Sequence, residues 1–329
     1  MSKSLKSEIA ALPYDELEGI QKLVSELLLY SKTNSNLEQR IFDARFPAHV
    51  VCPHCGSVLV VKNGKVRNKQ RYMCKDCHKT FGLFTNTMIS HSNLPVNIWA
   101  DMAKSMLNPK NTLRDVAKKL DISVTTAFKM RHKIMKGLTL ETDNVFLSGT
   151  VQADETYIPD NYKGNHTKSK SFKMPRPAYK RGGQRHMVFT DKSCVVTAMD
   201  NGNNILISNQ GFGNANSLKL TAALYERFGS DAVLVTDGQK SYVDLAWDNG
   251  CFDHVIINTK THKPSKSGYN LNQINNLHSQ IKNYVHIFKG VATKYLDEYL
   301  TWFLWCQRTK HIDDIERYQM LLSESIVPI

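Results

Sequence analysis

Val151-Gln-Ala-Asp154-Glu-Thr-Tyr-Ile158 is the stretch on which the reading of this chain turns. Its β-branched and aromatic residues predict a strand with Asp154 in the middle. A second stretch, Ala232-Val-Leu-Val-Thr236, is a short apolar run of buried-strand type and is followed by Asp237-Gly238. A third, Asn275-Asn-Leu-His278-Ser-Gln-Ile-Lys282, has helical character. There Asn275, His278 and Lys282 fall at i, i+3 and i+7, one face of a helix. Two acids on strands and polar groups on a helix can meet at one edge of a sheet. Converged carboxylates repel and need cations. Hard oxygen ligands suit Mg²⁺ or Mn²⁺, and a two-metal site clamps phosphate for an in-line displacement. Each acid alone reads as an ordinary strand-end residue; it is their order, with the helix, that points to chemistry.

At 329 residues the chain predicts two or more domains, and 41% hydrophobic content is ample for a core. No apolar run reaches the roughly 18 residues of a membrane span. The N-terminal segment lacks the apolar stretch of a signal peptide. These features predict a cytoplasmic protein with no membrane partner, nucleoid-associated when bound to DNA. A net charge of +13 favours a polyanionic partner. The 7 cysteines are an odd number, which argues against a disulfide framework. Cys194, Cys251 and Cys306 read as core thiols.

Residues 1–48 read as a helical N-terminal region. Leu17, Ile20, Val24, Leu27 and Leu28 form an apolar stripe after Pro13, and its mixed-charge polar face suits packing or dimerisation better than a membrane surface. Residues 49–82 read as a zinc ribbon. Cys52-Pro-His-Cys55 and Cys74-Lys-Asp-Cys77 can supply four thiolates to one tetrahedral Zn²⁺. Strands over 58–62 and 70–73 would turn at Asn63-Gly64. The basic residues between them, with Lys65 and Arg67 foremost, are candidate phosphate contacts.

Residues 83–148 read as a helix-turn-helix DNA-binding region. Thr112 caps one helix, with Leu113, Val116, Ala117 and Leu120 on a single face, and Ser123 caps the next after a three-residue turn. The second helix would display Thr125, Thr126, Lys129, Arg131, His132 and Lys133, with Lys129 and Arg131 as candidate DNA contacts.

Residues 149–308 alternate strands and helices. A basic loop over 161–187, free of acids, offers Lys168, Lys170 and Lys173 as further DNA contacts. A hairpin crosses Asp200-Asn-Gly-Asn, a helix spans 215–228, the Asp237 strand follows, then a short helix, a strand at 254–257 and two long helices. Hairpin strands first, then strands alternating with helices, is the order of a ribonuclease-H-like α/β fold. Residues 309–329 read as a C-terminal tail.

The combined pattern resembles the zinc-ribbon insertion-sequence transposases, whose core is Asp, Asp, Asn or Glu, then Lys. The likeness spans roughly residues 50–308 and rests on the two cysteine pairs, the Asp154 and Asp237 stretches, the 275–282 stretch and Gly290-Val-Ala-Thr-Lys-Tyr-Leu-Asp-Glu-Tyr-Leu-Thr-Trp-Phe303. The resemblance implies that Asp154 and Asp237 bind catalytic Mg²⁺ or Mn²⁺, that Asn275 stands where many relatives carry Glu, and that Lys282 is the family lysine. It implies an enzyme that binds terminal inverted repeats in double-stranded DNA, cuts the element's ends and joins them to target DNA, as a homo-oligomer at least on DNA. A neutral amide is a weaker ligand than a carboxylate and cannot act as a general base. Glu155 cannot replace it, since adjacent strand residues face opposite sides. His278 could assist as a phosphate or water contact. Two other classes remain open: a catalytically inactive DNA-binding regulator, and a structure-specific nuclease that cuts without joining.

Overall fold

The computed structural model describes residues 11–13, 16–17, 20, 37–138, 145–164, 192–229, 231–248, 253–258 and 268–326. Most of the N-terminal helical stripe lies outside them, as do Cys251 and the loop residues Lys168, Lys170 and Lys173. The chain divides into two units, Leu138–Lys310 and a second made of Met1–Gly137 with His311–Ile329. Among the described residues no helix is long and apolar enough to cross a membrane.

The four paired cysteines organise the start of the described chain. Cys52 Sγ lies 3.7 Å from Cys77 Sγ, and Cys55 Sγ lies 3.6 Å from Cys74 Sγ. All four sulfurs fall within 4.8 Å of one another. Zn–S bonds near 2.3 Å place the corners of a tetrahedron about 3.8 Å apart, so the donor set fits Zn²⁺. The Cys74 thiol is drawn down to about 6, first by the Cys77 backbone N–H. Around this knot a three-stranded sheet forms from β1 (Val60–Val66), β2 (Lys69–Cys74) and β3 (Thr80–Gly82), antiparallel throughout. Tyr72 stacks on Phe81 at 5.6 Å, and both share a buried cluster with Phe46, Cys52 and Cys74. The helix α1 (Leu37–Arg45) contributes Phe42 to that cluster and Glu38 to an ion pair with Lys69 at 2.6 Å. The ribbon therefore reaches back into residues set apart by sequence as the helical region.

The hairpin turn is not at Asn63-Gly64. It lies at Arg67-Asn68, where φ is 48° and 66°, as a two-residue turn with both central residues left-handed requires. Asn63 and Gly64 form a bulge instead, between the pairs Lys62↔Tyr72 and Lys65↔Gln70. Local sequence favours Asn63-Gly64, and it is the pairing of β1 with β2 that moves the turn to Arg67-Asn68.

Beyond the ribbon stand α2 (Val96–Met106), α3 (Leu113–Lys119) and α4 (Val124–Gly137). Thr112 Oγ1 accepts from Asp115 N at 3.2 Å, and Ser123 Oγ accepts from Thr126 N at 3.0 Å. These caps satisfy amides that have no partner within a helix. Of the residues expected on the outer face of α4, Lys129 is exposed. Arg131 is not: it is 2% exposed, and its Nη2 donates to the Asn111 carbonyl at 3.0 Å. Its length lets it fold inward to the loop between α2 and α3, which removes it as a DNA contact. His132 is buried as well. The expected C-terminal tail contains α9 (Asp314–Ile326), which packs on α4, α2 and α1 with Tyr318 and Leu321 fully buried.

In the other unit a five-stranded sheet runs in the order β6 (Ile205–Phe212), β5 (Lys192–Asp200), β4 (Thr150–Pro159), β7 (Val233–Thr236), β8 (Asp253–Ile256). The first three pair antiparallel, and β4, β7 and β8 pair parallel. This is a mixed sheet with the two acidic stretches on neighbouring strands. One face packs on α5 (Ser217–Leu224) and α6 (Lys240–Asp248) through Val151, Ala153, Val196, Ala198, Leu220 and Leu245. The opposite face carries α7 (Asn272–Ile287), which packs on β4 and β5, and α8 (Leu296–Arg308). Tyr284 and Phe288 of the α7 segment pack edge-on against Phe303 and Tyr299 of α8 at 5.2 and 4.7 Å, and Trp302 is fully buried beside them. The helix expected over 215–228 stops at Leu224, because Glu226 takes φ 58° and Phe228 turns to bridge Leu147.

Structural zinc of this kind is folding energy for a small domain. Cys74→Ser is expected to drop zinc from one ion per chain to near none and to expose the amides of β1 to β3 to hydrogen exchange, while β4 and β5 keep their protection. Zinc analysis paired with exchange mass spectrometry checks this; a zinc-free ribbon with protected amides contradicts it.

Candidate active site

Alternation along β4 sends Gln152 and Asp154 to the α7 face of the sheet, and Ala153 and Glu155 to the other. The register between β4 and β7 pairs Gln152 with Val235. Continued by two residues, it sets Asp237, just past the carboxyl end of β7, level with Asp154 in the middle of β4. Asp237 sits one residue past β7 and is exposed. The turn that follows is built for glycine: Gly238 has φ +84°, and a Cβ there would stand 2.4 Å from Ile256 Cγ2. Asp237 Oδ1 accepts from Gln239 N at 3.1 Å, which holds the turn.

Two groups of α7 act on the acids, and a third lies on the same helix. His278 is buried, its Nδ1 is 3.7 Å from Asp154 Oδ2, and its Nε2 is 2.8 Å from Thr197 Oγ1. Thr197 is the cross-strand partner of Asp154 and donates its hydroxyl to the Asp154 carbonyl at 2.9 Å. Lys282 is exposed, and its charge is felt at both Asp154 and His278. Asn275 is exposed one turn before His278, and its carbonyl accepts from Ser279 Oγ at 3.1 Å. Contact or charge thus links Asp154, Asp237, His278 and Lys282; the Asn275 amide is placed on the same helix without such a link.

The electrostatics follow from this packing. Asp154 has 21% of its side chain exposed. Burial raises its carboxyl to about 7, Glu155 and Asp237 push the same way, and Lys282 opposes them. His278 is lowered to about 4, by burial first and by Lys282 second, so the ring is neutral. Glu155 is also raised, chiefly by burial, on the far face. There Tyr242 and Tyr157 donate hydroxyls to its two oxygens at 3.1 and 3.3 Å. That role is structural, and it keeps Glu155 from serving with Asp154. An acid cluster whose charge is so poorly tolerated, opening on an exposed acid and a lysine, fits a divalent cation. Among the described residues the four thiols are the set of three or more His, Cys, Asp or Glu ligands that closes to within 4.8 Å, so Asp154, Asp237 and His278 do not close as a trio.

Two residues that carry no motif in the sequence hold this arrangement. Gln152 Oε1 accepts from Ile274 N at 3.1 Å, and Gln152 Nε2 reaches Gln273 Oε1 at 3.3 Å. It supplies from the sheet a partner for one of the free amides in the first turn of α7, and so fixes where the helix starts. A signal for it existed, since Gln152 lies two residues before Asp154 on the same face. Thr197, which orients His278, was not legible, because its position opposite Asp154 depends on the hairpin register.

Comparison with known proteins matches residues 146–307 to the ISXO2-like transposase domain and residues 33–80 to a transposase zinc-ribbon domain. The chain is also similar to a protein of Halobacterium salinarum described as an uncharacterized protein in transposable element ISH50. The two are 24% identical over 216 residues, which is 63% of this chain and 68% of the relative. Solved structures with detectable likeness include a pre-cleavage Mos1 transpososome, at 14% identity and TM-score 0.23, covering 65% of this chain and 74% of that one. A mariner Mos1 paired end complex with Mg is similar at 14% identity and TM-score 0.24, covering 72% and 81%.

The two shifted groups predict opposed pH dependences in the absence of added divalent ions. Asp154 has its folded pKa raised, to about 7 from an unfolded value near 3.9, so its contribution to stability is full below about pH 4 and is lost as pH rises to about 7. His278 has its folded pKa lowered, to about 4 from near 6.5, so its contribution is full above about pH 6.5 and is lost as pH falls to about 4. His278→Gln should leave stability falling with pH more steeply than in the wild type across that window. Asp154→Asn should leave it rising. Urea denaturation at a series of pH values measures both, and a slope change of the same sign in the two variants contradicts the assignment.

Proposed function

We propose that this chain, which belongs to the zinc-ribbon insertion-sequence transposases, cuts the ends of a mobile element and joins them to target DNA in a metal-dependent phosphoryl transfer. The observation that carries the reading is the pair Asp154, in the middle of β4, and Asp237, at the carboxyl end of the neighbouring parallel strand β7, level with each other and both close enough to matter electrostatically, with the Lys282 charge felt at Asp154. Ligands of open α/β sheets bind outside the carboxyl ends of the strands. A relative carried in a transposable element is consistent with the same role.

In this reading Asp154 and Asp237 hold Mg²⁺ or Mn²⁺, which when bound supplies Lewis acidity toward the attacking and leaving oxygens of the phosphate. Their mutual repulsion, partly relieved by Lys282, is the affinity for the cation. Lys282 is exposed and flexible enough to meet a non-bridging phosphate oxygen and align the strand. Asn275, exposed on α7 one turn before His278, would offer an amide to the cation's coordination sphere or to the nucleotide. Gln152 and Thr197 act through α7 and His278 and are positioning residues. On the α7 side the core that supports the site is ribonuclease-H-like in its logic: a mixed sheet, one acid within a central strand, one just past the end of its parallel neighbour, and a helix laid across that face.

DNA recognition falls to the other unit. Lys65, exposed, and Arg67, at the tip of the ribbon hairpin, would meet backbone phosphates, and Lys129 on α4 would meet duplex DNA in a helix-turn-helix mode. The loop lysines Lys168, Lys170 and Lys173 are proposed to hold DNA near the acids. Transposon ends must be brought together, so the working form is a homo-oligomer on DNA.

Asp237→Ala and Asp154→Ala are each expected to lower cleavage and joining of repeat-ended DNA by roughly a thousandfold or more, the loss of several kcal/mol of charge stabilisation. Gel-shift affinity for the same DNA should stay level or rise slightly. Lys65→Ala with Arg67→Ala should do the reverse, reducing the salt slope of binding by about 0.9 for each phosphate that is no longer neutralised. Normal cutting by Asp237→Ala would favour a binding-only regulator, and cutting without joining by the wild type would favour a nuclease.

A further inference from the structure

The hydroxyl of Thr197 has one proton, and that proton is committed to the Asp154 carbonyl, which can only accept. Toward His278 Nε2, at 2.8 Å, Thr197 Oγ1 is therefore the acceptor. Nε2 carries the hydrogen of the neutral ring, and Nδ1 is left as a bare lone pair. That lone pair faces Asp154 Oδ2 across 3.7 Å. With the Asp154 carboxyl ionised, as a bound cation requires, two acceptors face each other, and at 3.7 Å they are too far apart for a hydrogen bond of any polarity. Donor atoms of one six-coordinate cation with bonds near 2.1 Å stand roughly 3 to 4.2 Å apart, and the observed gap falls inside that span.

We propose that His278 Nδ1 is a direct ligand of the divalent cation that Asp154 Oδ2 binds. The proposal rests on the metal-site reading above and assigns a nitrogen donor to it. The surroundings have the form that metal-bound imidazoles need, with the second ring nitrogen donating to a fixed partner that sets tautomer and orientation. Here the partner is Thr197, locked by its own bond to the backbone of the very residue that supplies the carboxylate. Burial at 8% side-chain exposure holds the ring in one place. The ion's protein shell is then part oxygen and part nitrogen, which moves its preference from Mg²⁺ toward Mn²⁺.

The test uses the full zinc-loaded chain and Mn²⁺ as the probe. Pulsed electron paramagnetic resonance of the Mn²⁺ complex should show ¹⁴N coupling from a directly bound imidazole. His278→Gln, whose amide can still reach Thr197 but offers no nitrogen lone pair, should lose that coupling and narrow the ratio of Mn²⁺ to Mg²⁺ affinity. Asn275→Ala should keep the coupling. Thr197→Val, which frees Nε2 and loosens the tautomer, should weaken Mn²⁺ binding by about 10- to 100-fold while retaining a folded chain by circular dichroism. Mn²⁺ bound in a manner that needs Asp154, but with no ¹⁴N coupling in the wild type, overturns the proposal and leaves the acidic site standing. Failure of the wild type to bind Mn²⁺ at all overturns both.

Discussion

Successive side chains of a strand must point to opposite faces of its sheet, and along β4 that alternation separates two kinds of work. Val151 and Ala153 enter the core under α5 and α6, and Glu155 follows them into a cage of two tyrosine hydroxyls. Gln152 and Asp154 turn the other way, where one anchors the first turn of α7 and the other faces His278. A one-residue slip of β4 would exchange these roles entirely, burying Asp154 among aliphatic side chains. The nine paired positions with β5, from Val151↔Asp200 to Pro159↔Lys192, are what forbid the slip. The aromatic contacts between α7 and α8 then keep the helix from drifting off the face it must serve.

Charge shapes the same corner. A carboxylate held up to about 7 and an imidazole held down to about 4 are both groups whose charged forms the protein disfavours. Neither is arranged for a salt bridge with the other. Such sites carry local destabilisation that a ligand relieves, and binding energy is then available to draw spaced acids together around it.

What the sequence reveals depends on how local each signal is. The two cysteine pairs, the strand of Asp154, the acid after Val235 and Thr236, and the helix over 275–282 all rest on short-range spacing and form where spacing puts them, though of the helix positions His278 and Lys282 are linked to Asp154 and Asn275 is not. The ribbon turn does not: Asn63-Gly64 is the stronger local turn signal, but the strand pairing overrides it, making that dipeptide a bulge and forcing Arg67-Asn68 to positive φ. Arg131 fails for a related reason: polarity marks a side chain as costly to bury, but a long one can reach a carbonyl and be buried all the same. Thr197 is silent in sequence since nothing local states which residue will lie across from Asp154. Gln152 was legible in principle, as a buried polar residue sharing the parity of Asp154.

The chain enters the first unit, leaves it at Gly137, builds the whole of the second, and returns at His311 with the helix that places Tyr318 and Leu321 in the first unit's core. On the ribosome the two units are therefore finished in inverted order. The sheet with its acids can close while the earlier unit still waits, its helices α1, α2 and α4 lacking the segment that covers them. Domains generally fold as they emerge, yet here the part that emerges first is completed last. Until α9 is made, the positions that Tyr318 and Leu321 fill against those helices stand open.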